Sequence, residues 1–83
     1  MRITIQFTDV YDGHEYERTE THDLPVAPDV DHAHDDLVDE WADAHIRPLT
    51  GTGQRHSESG YFAEVLTCTQ RPYLVGHEFS WGV

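Results

Sequence analysis

The chain has 83 residues and a net charge of −11, from sixteen acidic residues against five basic ones, and every basic residue is an arginine. We expect one domain over residues 1–83, because a chain of this length cannot divide its apolar residues between two cores. Such a negative charge disfavours direct binding to nucleic acid or to an anionic membrane, since both depend on Lys and Arg contacts.

The single cysteine, Cys68, excludes an internal disulfide and indicates a reducing compartment. The first ten residues alternate polar with apolar side chains and do not form the hydrophobic region of a signal peptide. No apolar run approaches the length of a membrane span. The sequence therefore predicts a cytoplasmic protein.

The N-terminal third of the chain predicts a β-hairpin. Arg2 to Thr8 alternates apolar with polar residues, and Asp12-Gly13 favours a tight two-residue turn. That turn would pair Tyr11 with His14, Asp9 with Tyr16, Phe7 with Arg18, Ile5 with Glu20 and Ile3 with His22. Because this register brings Arg18 and Glu20 to the apolar face, we expect the second strand to lie at a sheet edge, with both charges reaching the rim.

The segment from Asp29 to Arg47 predicts the only long helix. Pro48 disfavours helical geometry at the residue before it, so the helix should end near Ile46, and Asp29 or Asp31 should cap its N-terminus. At about 100° per residue, one stripe is expected to face the core. Its members are Val30, Ala33, His34, Leu37, Val38, Trp41, Ala44 and His45.

The opposite face of this predicted helix is acidic, and we interpret it as the candidate partner-binding surface. Its six carboxylates belong to Asp31, Asp35, Asp36, Asp39, Glu40 and Asp43. Like charges four residues apart cost a helix roughly 0.2–0.5 kcal/mol per pair at low salt, and only Asp43 with Arg47 is favourable at that spacing. The repulsion is either tolerated in a salty environment or retained for a basic partner.

The C-terminal half predicts two more strands after a mobile loop from Pro48 to Gly60. Tyr61 to Gln70 has β-forming residues on both faces, as an interior strand does, and Leu74 to Val83 would place Phe79, Trp81 and Val83 on one face. The element order ββαββ predicts an α+β fold, with one amphipathic helix packed on a four-stranded, mostly antiparallel sheet.

No pattern of residues indicates catalysis, a cofactor or a metal centre. His32 and His34 would point about 200° apart on a helix, and His34 and His45 would be about 16 Å apart along it. We expect these last two to be partly buried at the edge of the core. His32 with Asp35 or Asp36 could supply half a metal site, so metal binding stays a minor alternative. Cys68 in mid-strand is expected to be a buried apolar residue.

The aromatic residues divide into expected core positions and expected contact positions. Trp41 on the helix stripe and Trp81 on the last strand should both be core residues. The aromatic side chains that could anchor a partner are expected among the tyrosines. These are Tyr11, Tyr16, Tyr61 and Tyr73.

Two functional hypotheses remain. The first is a non-enzymatic inhibitor that presents its acidic face to a basic, nucleic-acid-binding protein, as a DNA mimic does. In size, acidity and helix-over-sheet plan the chain is similar to small phage-encoded inhibitors such as anti-CRISPR proteins, a likeness of type that involves no particular residue.

The second hypothesis is a structural or accessory module whose acidity serves only solubility or salt adaptation, with its interface at a sheet edge or on the second sheet face; a homodimer is also possible. The positions of the other acids discriminate the two hypotheses. Acids gathered on the helix side would favour mimicry, and an even spread would favour solubility. These acids are Asp9, Asp12, Glu15, Glu17, Glu20, Glu58, Glu64 and Glu78.

Overall fold

The computed structural model describes residues 1–51 and 59–82, and it confirms the α+β fold with the element order ββαββ. The regular elements are β1 (Arg2–Tyr11), β2 (His14–Asp23), α1 (Asp36–His45), β3 (Ser59–Thr67) and β4 (Glu78–Gly82). Single 3₁₀ turns at Arg47–Leu49 and Pro72–Leu74 complete the chain path. The sheet is antiparallel throughout, in the order β2-β1-β3-β4.

The N-terminal hairpin has the register that the sequence predicts, and β2 lies at the sheet edge as expected. Asp12 and Gly13 both adopt positive φ, at 48° and 86°, which matches the right-handed twist of a two-residue hairpin. Odd-numbered residues of β1 face the helix. Even-numbered residues of β1 lie on the other face of the sheet, which we call the open face.

The last two strands are shorter than the sequence predicts. β3 is an interior strand, as expected, and buries Ala63 and Val65. Leu66, which lies at a register shift opposite Thr4 and Ile5, is exposed. β4 begins at Glu78 and not at Leu74, because the 3₁₀ turn at Pro72–Leu74 intervenes. Part of the predicted loop from Pro48 to Gly60, and Val83, lie outside the described residues.

The core lies between the sheet and α1. Ile3, Ile5 and Phe7 of β1 are fully buried beneath the helix residues Val38 and Trp41. The indole N–H of Trp41 donates to the carbonyl oxygen of Pro25 at 3.0 Å, so the helix is also bonded to the segment that leads into it. Cys68 is buried, as predicted for a small apolar residue, but it follows the end of β3 and does not lie in mid-strand.

The helix is shorter than predicted, and its buried face is rotated about the helix axis from the predicted face. It begins at Asp36 because Asp35, and not Asp29 or Asp31, is the N-cap, with its carboxylate accepting from the Leu37 amide at 2.9 Å. The buried stripe is Val38, Trp41 and Ala42, followed by Ile46. The prediction was wrong for His34, Leu37 and Ala44, which are exposed.

A buried charge cluster joins the hairpin to the end of the helical region. Asp9 is completely buried and accepts from the Arg18 guanidinium and from the Gly51 amide, the latter at 3.1 Å. Arg18 also donates to the Leu49 carbonyl oxygen at 2.5 Å and to Glu20 at 2.8 Å, and it lies over the Phe7 ring. Arg18 and Glu20 stay partly exposed, as expected for charges that reach the rim, and they pair with each other there.

The tyrosines differ in exposure from one another. Tyr16 is exposed, as a contact residue would be, whereas Tyr11 is only 4% exposed and belongs to the core face. Its ring packs between those of Tyr16 and Tyr61. The prediction that Tyr11 could anchor a partner was therefore wrong.

None of the described helices could cross a membrane, since the longest, α1, has ten residues.

Candidate acidic interaction surface

The solvent side of α1 carries four exposed carboxylates, and we call this surface the acidic helix face. It consists of Asp36, Asp39, Glu40 and Asp43. Each of these residues lies three or four positions from two of the others, so all four project on the side opposite the buried stripe of Val38, Trp41 and Ala42. The geometry therefore brings together four of the six predicted partner-binding residues.

The other two predicted site residues lie outside the helix. Asp35 is the N-cap, and its carboxylate is already engaged with the Leu37 amide. Asp31 is exposed in the irregular segment that precedes the helix. This segment is not helical, because the Asp35 cap defines the first turn and the residues before it, rich in Asp and His, have low helix propensity.

No basic side chain in residues 1–51 and 59–82 forms an ion pair with the acidic helix face. The ion pairs found there join Arg2 to Asp23, Arg18 to Asp9 and to Glu20, and His22 to Glu20. The favourable pairing predicted between Asp43 and Arg47 is not among them. Asp43 instead accepts a hydrogen bond of 2.6 Å from the indole N–H of Trp81. Within the described residues, no ion pair therefore neutralises the acidic helix face.

A cleft of about 520 Å³ separates α1 from β4, and we call it the α1–β4 cleft. The helix contributes Asp39 and Asp43, and the aromatic side chains of Phe79 and Trp81 stack at an interplanar angle of 17°. His34 and His77 also line the cleft. Their rings make an edge-to-face contact, with centroids 5.1 Å apart. The cleft thus combines carboxylates, imidazoles and an indole.

The sequence did not predict this cleft. Its residues are far apart along the chain. Their proximity depends on which face of α1 is buried, and the sequence pattern predicted that face incorrectly. The one available signal was the alternation of Phe79 and Trp81 at the end of the chain, which put both rings on the helix side. Trp81 is half-buried and not a full core residue, because the cleft leaves one side of it open.

The remaining acids are not gathered on the helix side. Strand alternation and register put Glu15, Glu17, Glu64 and Glu78 on the open face. Asp9 and Glu20 are on the helix side, but Arg18 pairs with both. Glu58 lies outside the described residues. By the criterion stated above, this distribution favours the solubility hypothesis over mimicry.

Within the described residues, no three His, Cys, Asp or Glu side chains converge in a way that could hold a metal ion. The minor alternative of a half-site formed by His32 with Asp35 or Asp36 does not lie on one helix turn, because His32 precedes α1 and is exposed. His34 was expected at the core edge and is not there. His45 is half-buried beside the Trp41 ring, as expected.

Comparison with known proteins found no match: no protein-family model, curated protein or solved structure is similar to this chain. Its function must therefore be argued from the geometry and charge described above.

The cleft also gives a pH-dependent contribution to stability. Burial, with a smaller effect from His34, lowers the pKa of His77 below its ordinary value of 6.5, although Asp39 opposes the shift. The unfolded chain then binds more protons than the folded one below pH 6.5. The stabilising contribution is complete above that pH and is lost as the pH falls through the lowered pKa.

We expect His77→Gln to reduce the loss of unfolding free energy between pH 7 and pH 5. Chemical denaturation at several pH values measures the unfolding free energy. In the wild type, NMR should show that the His77 ring has a pKa below 6.5. The exposed His32→Gln is the matched control and should leave the pH profile unchanged. A His77 titration midpoint at or above 6.5 would contradict the expectation.

Proposed function

We propose that this chain is a non-enzymatic protein-binding module that presents its acidic helix face to a basic surface on another protein. The observation that carries the proposal is that Asp36, Asp39, Glu40 and Asp43 share one exposed face without a basic ion-pair partner in the described structure. A basic partner would supply the missing counter-charges.

The energetics of this face support binding more than folding. Asp36 with Glu40, and Asp39 with Asp43, repel each other at four-residue spacing by roughly 0.2–0.5 kcal/mol per pair. The helix dipole offsets part of this repulsion energy, because Asp36 and Asp39 lie in the first turn, near its positive end. Since the face contributes little net stability, its charges are available to steer and hold a basic partner.

In its most specific form, the proposal is an inhibitor of a nucleic-acid-binding protein, of the DNA-mimic or phage anti-defence type. Carboxylates four residues apart rise about 6 Å along a helix, which is comparable to two phosphates at about 3.4 Å each along one strand. A groove that binds a nucleic-acid backbone could therefore accept this face. The acids of the open face do not contribute to such mimicry, and their spread favours the solubility alternative, so the support for mimicry comes from the helix face alone.

The alternative is an accessory module whose acidity serves only solubility or salt adaptation. Its supporting observation is the set of four glutamates on the open face, which makes both sides of the molecule acidic. In that case no single face would determine partner binding.

Two matched charge variants discriminate the proposal from this alternative. The helix variant is Asp36→Asn, Asp39→Asn, Glu40→Gln, and the sheet variant is Glu15→Gln, Glu17→Gln, Glu64→Gln, so each removes three charges from one face. Partners captured from the cells in which the protein acts would be identified, and their affinity for each variant would be measured at low and high salt.

We expect the helix variant to lose about tenfold or more in affinity at low salt, with a flatter salt dependence, because exposed charge pairs contribute about 0.2–1 kcal/mol each. The sheet variant should bind as the wild type does. Both should keep their thermal midpoints within a few degrees. Equal weakening by the two folded variants would favour the solubility alternative, and undiminished binding by the helix variant would exclude the proposal.

A further inference from the structure

We propose that the outer edge of β4, together with the α1–β4 cleft, binds an extended basic segment of a protein partner as an additional β-strand. This inference rests on the proposed function and deepens it, because it assigns the partner's binding mode and conformation. It adds a backbone interface to the charged surface of the helix.

β4 is an edge strand with available hydrogen-bonding groups. The amide of Val65 donates to the carbonyl oxygen of His77 at 3.0 Å, which directs the backbone groups of alternate residues, Phe79 and Trp81, toward β3. The N–H and C=O groups of Glu78, Ser80 and Gly82 consequently point away from the sheet. No strand in the described residues pairs with this side of β4.

The two sheet edges differ in how well they are protected from pairing. β2 carries the inward-facing charges Arg18 and Glu20, a common protection against additional strands. β4 has neither an inward charge nor a proline, and its inward side chains are Phe79 and Trp81. Of the two edges, β4 is therefore the one suited to strand addition.

Charge complementarity identifies the occupant as basic. Side chains of an added strand would alternate between the helix side, where Asp39 and Asp43 line the cleft, and the open face, where Glu64 and Glu78 face each other across the register. Arginines at successive positions would meet carboxylates on both sides. On the helix side, a guanidinium could also stack on the Trp81 indole.

A second copy of this chain fits the same edge less well. Two β4 strands could pair around Ser80, but each chain carries a net charge of −11 and would bring its own Asp39 and Asp43 toward those of its partner. A basic segment relieves this repulsion, whereas self-pairing increases it. The backbone pattern accepts either occupant, and the charges favour the basic segment.

The probe is an eight-residue amidated peptide with arginines at its four central positions and valines at both ends, titrated into the full chain by calorimetry and by amide NMR. We expect binding, with hydrogen-exchange protection of the Ser80 and Gly82 amides.

Ser80→Pro removes an outward N–H without breaking a bond to β3, and it should weaken binding about tenfold. Asp39→Asn should weaken binding at low salt only, and Glu15→Gln is its matched control, with affinity unchanged.

A second probe does not depend on any variant being folded. The same peptide with N-methyl groups on all of its inner backbone amides keeps every charge but cannot donate from either edge to the ladder, so it should bind about tenfold more weakly to the wild type. Equal affinity of the two peptides, no binding of either, or wild-type dimers that protect the same amides without peptide would each overturn the inference.

Failure of this inference is distinguishable from failure of the proposed function. If the partner does not bind as a strand, Ser80→Pro will retain the captured partner while the helix variant still loses it. If the acidic helix face is not a binding surface, the helix variant will retain the partner, whatever the peptide does.

Discussion

Trp41→Ala is expected to lower the free energy of unfolding by about 3–5 kcal/mol, a large part of the roughly 5–15 kcal/mol total of a typical domain. Trp41 is only 7% exposed and packs in the core that joins α1 to the sheet. The substitution leaves a cavity there and leaves the Pro25 carbonyl without its indole donor. Thermal and urea unfolding followed by circular dichroism would measure the loss.

Two further variants separate the components of this effect. Trp41→Phe keeps most of the apolar volume and removes the bond to Pro25, so it should cost about 1–3 kcal/mol. Trp81→Ala is the control at the half-buried position on β4, and it should cost less than Trp41→Ala. An unchanged thermal midpoint in Trp41→Ala would mean that α1 does not pack through this face.

The two strands of the hairpin could be predicted from the sequence because their determinants are local, whereas the bounds of β3 and β4 differ from the prediction. The Asp12-Gly13 turn defines the hairpin register, and alternation along β1 then fixes which residues face the core. β2 was recognisable as an edge strand from Arg18 on the apolar side. These inferences needed only residues close together in the chain.

The helix start could not be predicted in the same way. Several aspartates between residues 29 and 36 could each act as an N-cap, and the choice of Asp35 depends on where the preceding segment is anchored. Tertiary bonds provide that anchor, since Tyr73 donates to the Pro28 carbonyl at 2.5 Å and Arg71 to that of Ala27 at 2.9 Å. Leu37 was misassigned because the predicted stripe was defined partly by Val30 and Ala33, which precede the helix and therefore do not indicate its buried face.

The candidate site was predictable in composition and not in arrangement. The acidic side of the helix followed from residue spacing, which survives a change of helix start, so Asp36, Asp39, Glu40 and Asp43 still share a face. The α1–β4 cleft depends on the distance between α1 and the last strand. That distance is set by the packing of the whole core, which no local pattern encodes.

Arg18→Met should lower the free energy of unfolding by about 3–5 kcal/mol at neutral pH, because it leaves the buried Asp9 carboxylate without its charged partner. The Asp9 carboxylate is completely buried, and without Arg18 it keeps only the Gly51 amide as a donor in the described structure. The Leu49 carbonyl would also lose its bond from the guanidinium. Methionine retains much of the apolar contact with Phe7, so the loss should report mainly on charge and hydrogen bonding.

A double-mutant cycle with Asp9→Asn tests this explanation. The double variant removes the unpaired charge along with its partner, and it should therefore be more stable than Arg18→Met alone, with a coupling energy of about 0.5–3 kcal/mol. Arg2→Met is the matched control, because Arg2 pairs with Asp23 on the exposed surface and should contribute less than about 1 kcal/mol. If the losses for Arg18→Met and Asp9→Asn were simply additive, the charge cluster would not act as a unit. The cost of Arg18→Met would then have to come from lost packing over Phe7 and from the lost bond to Leu49.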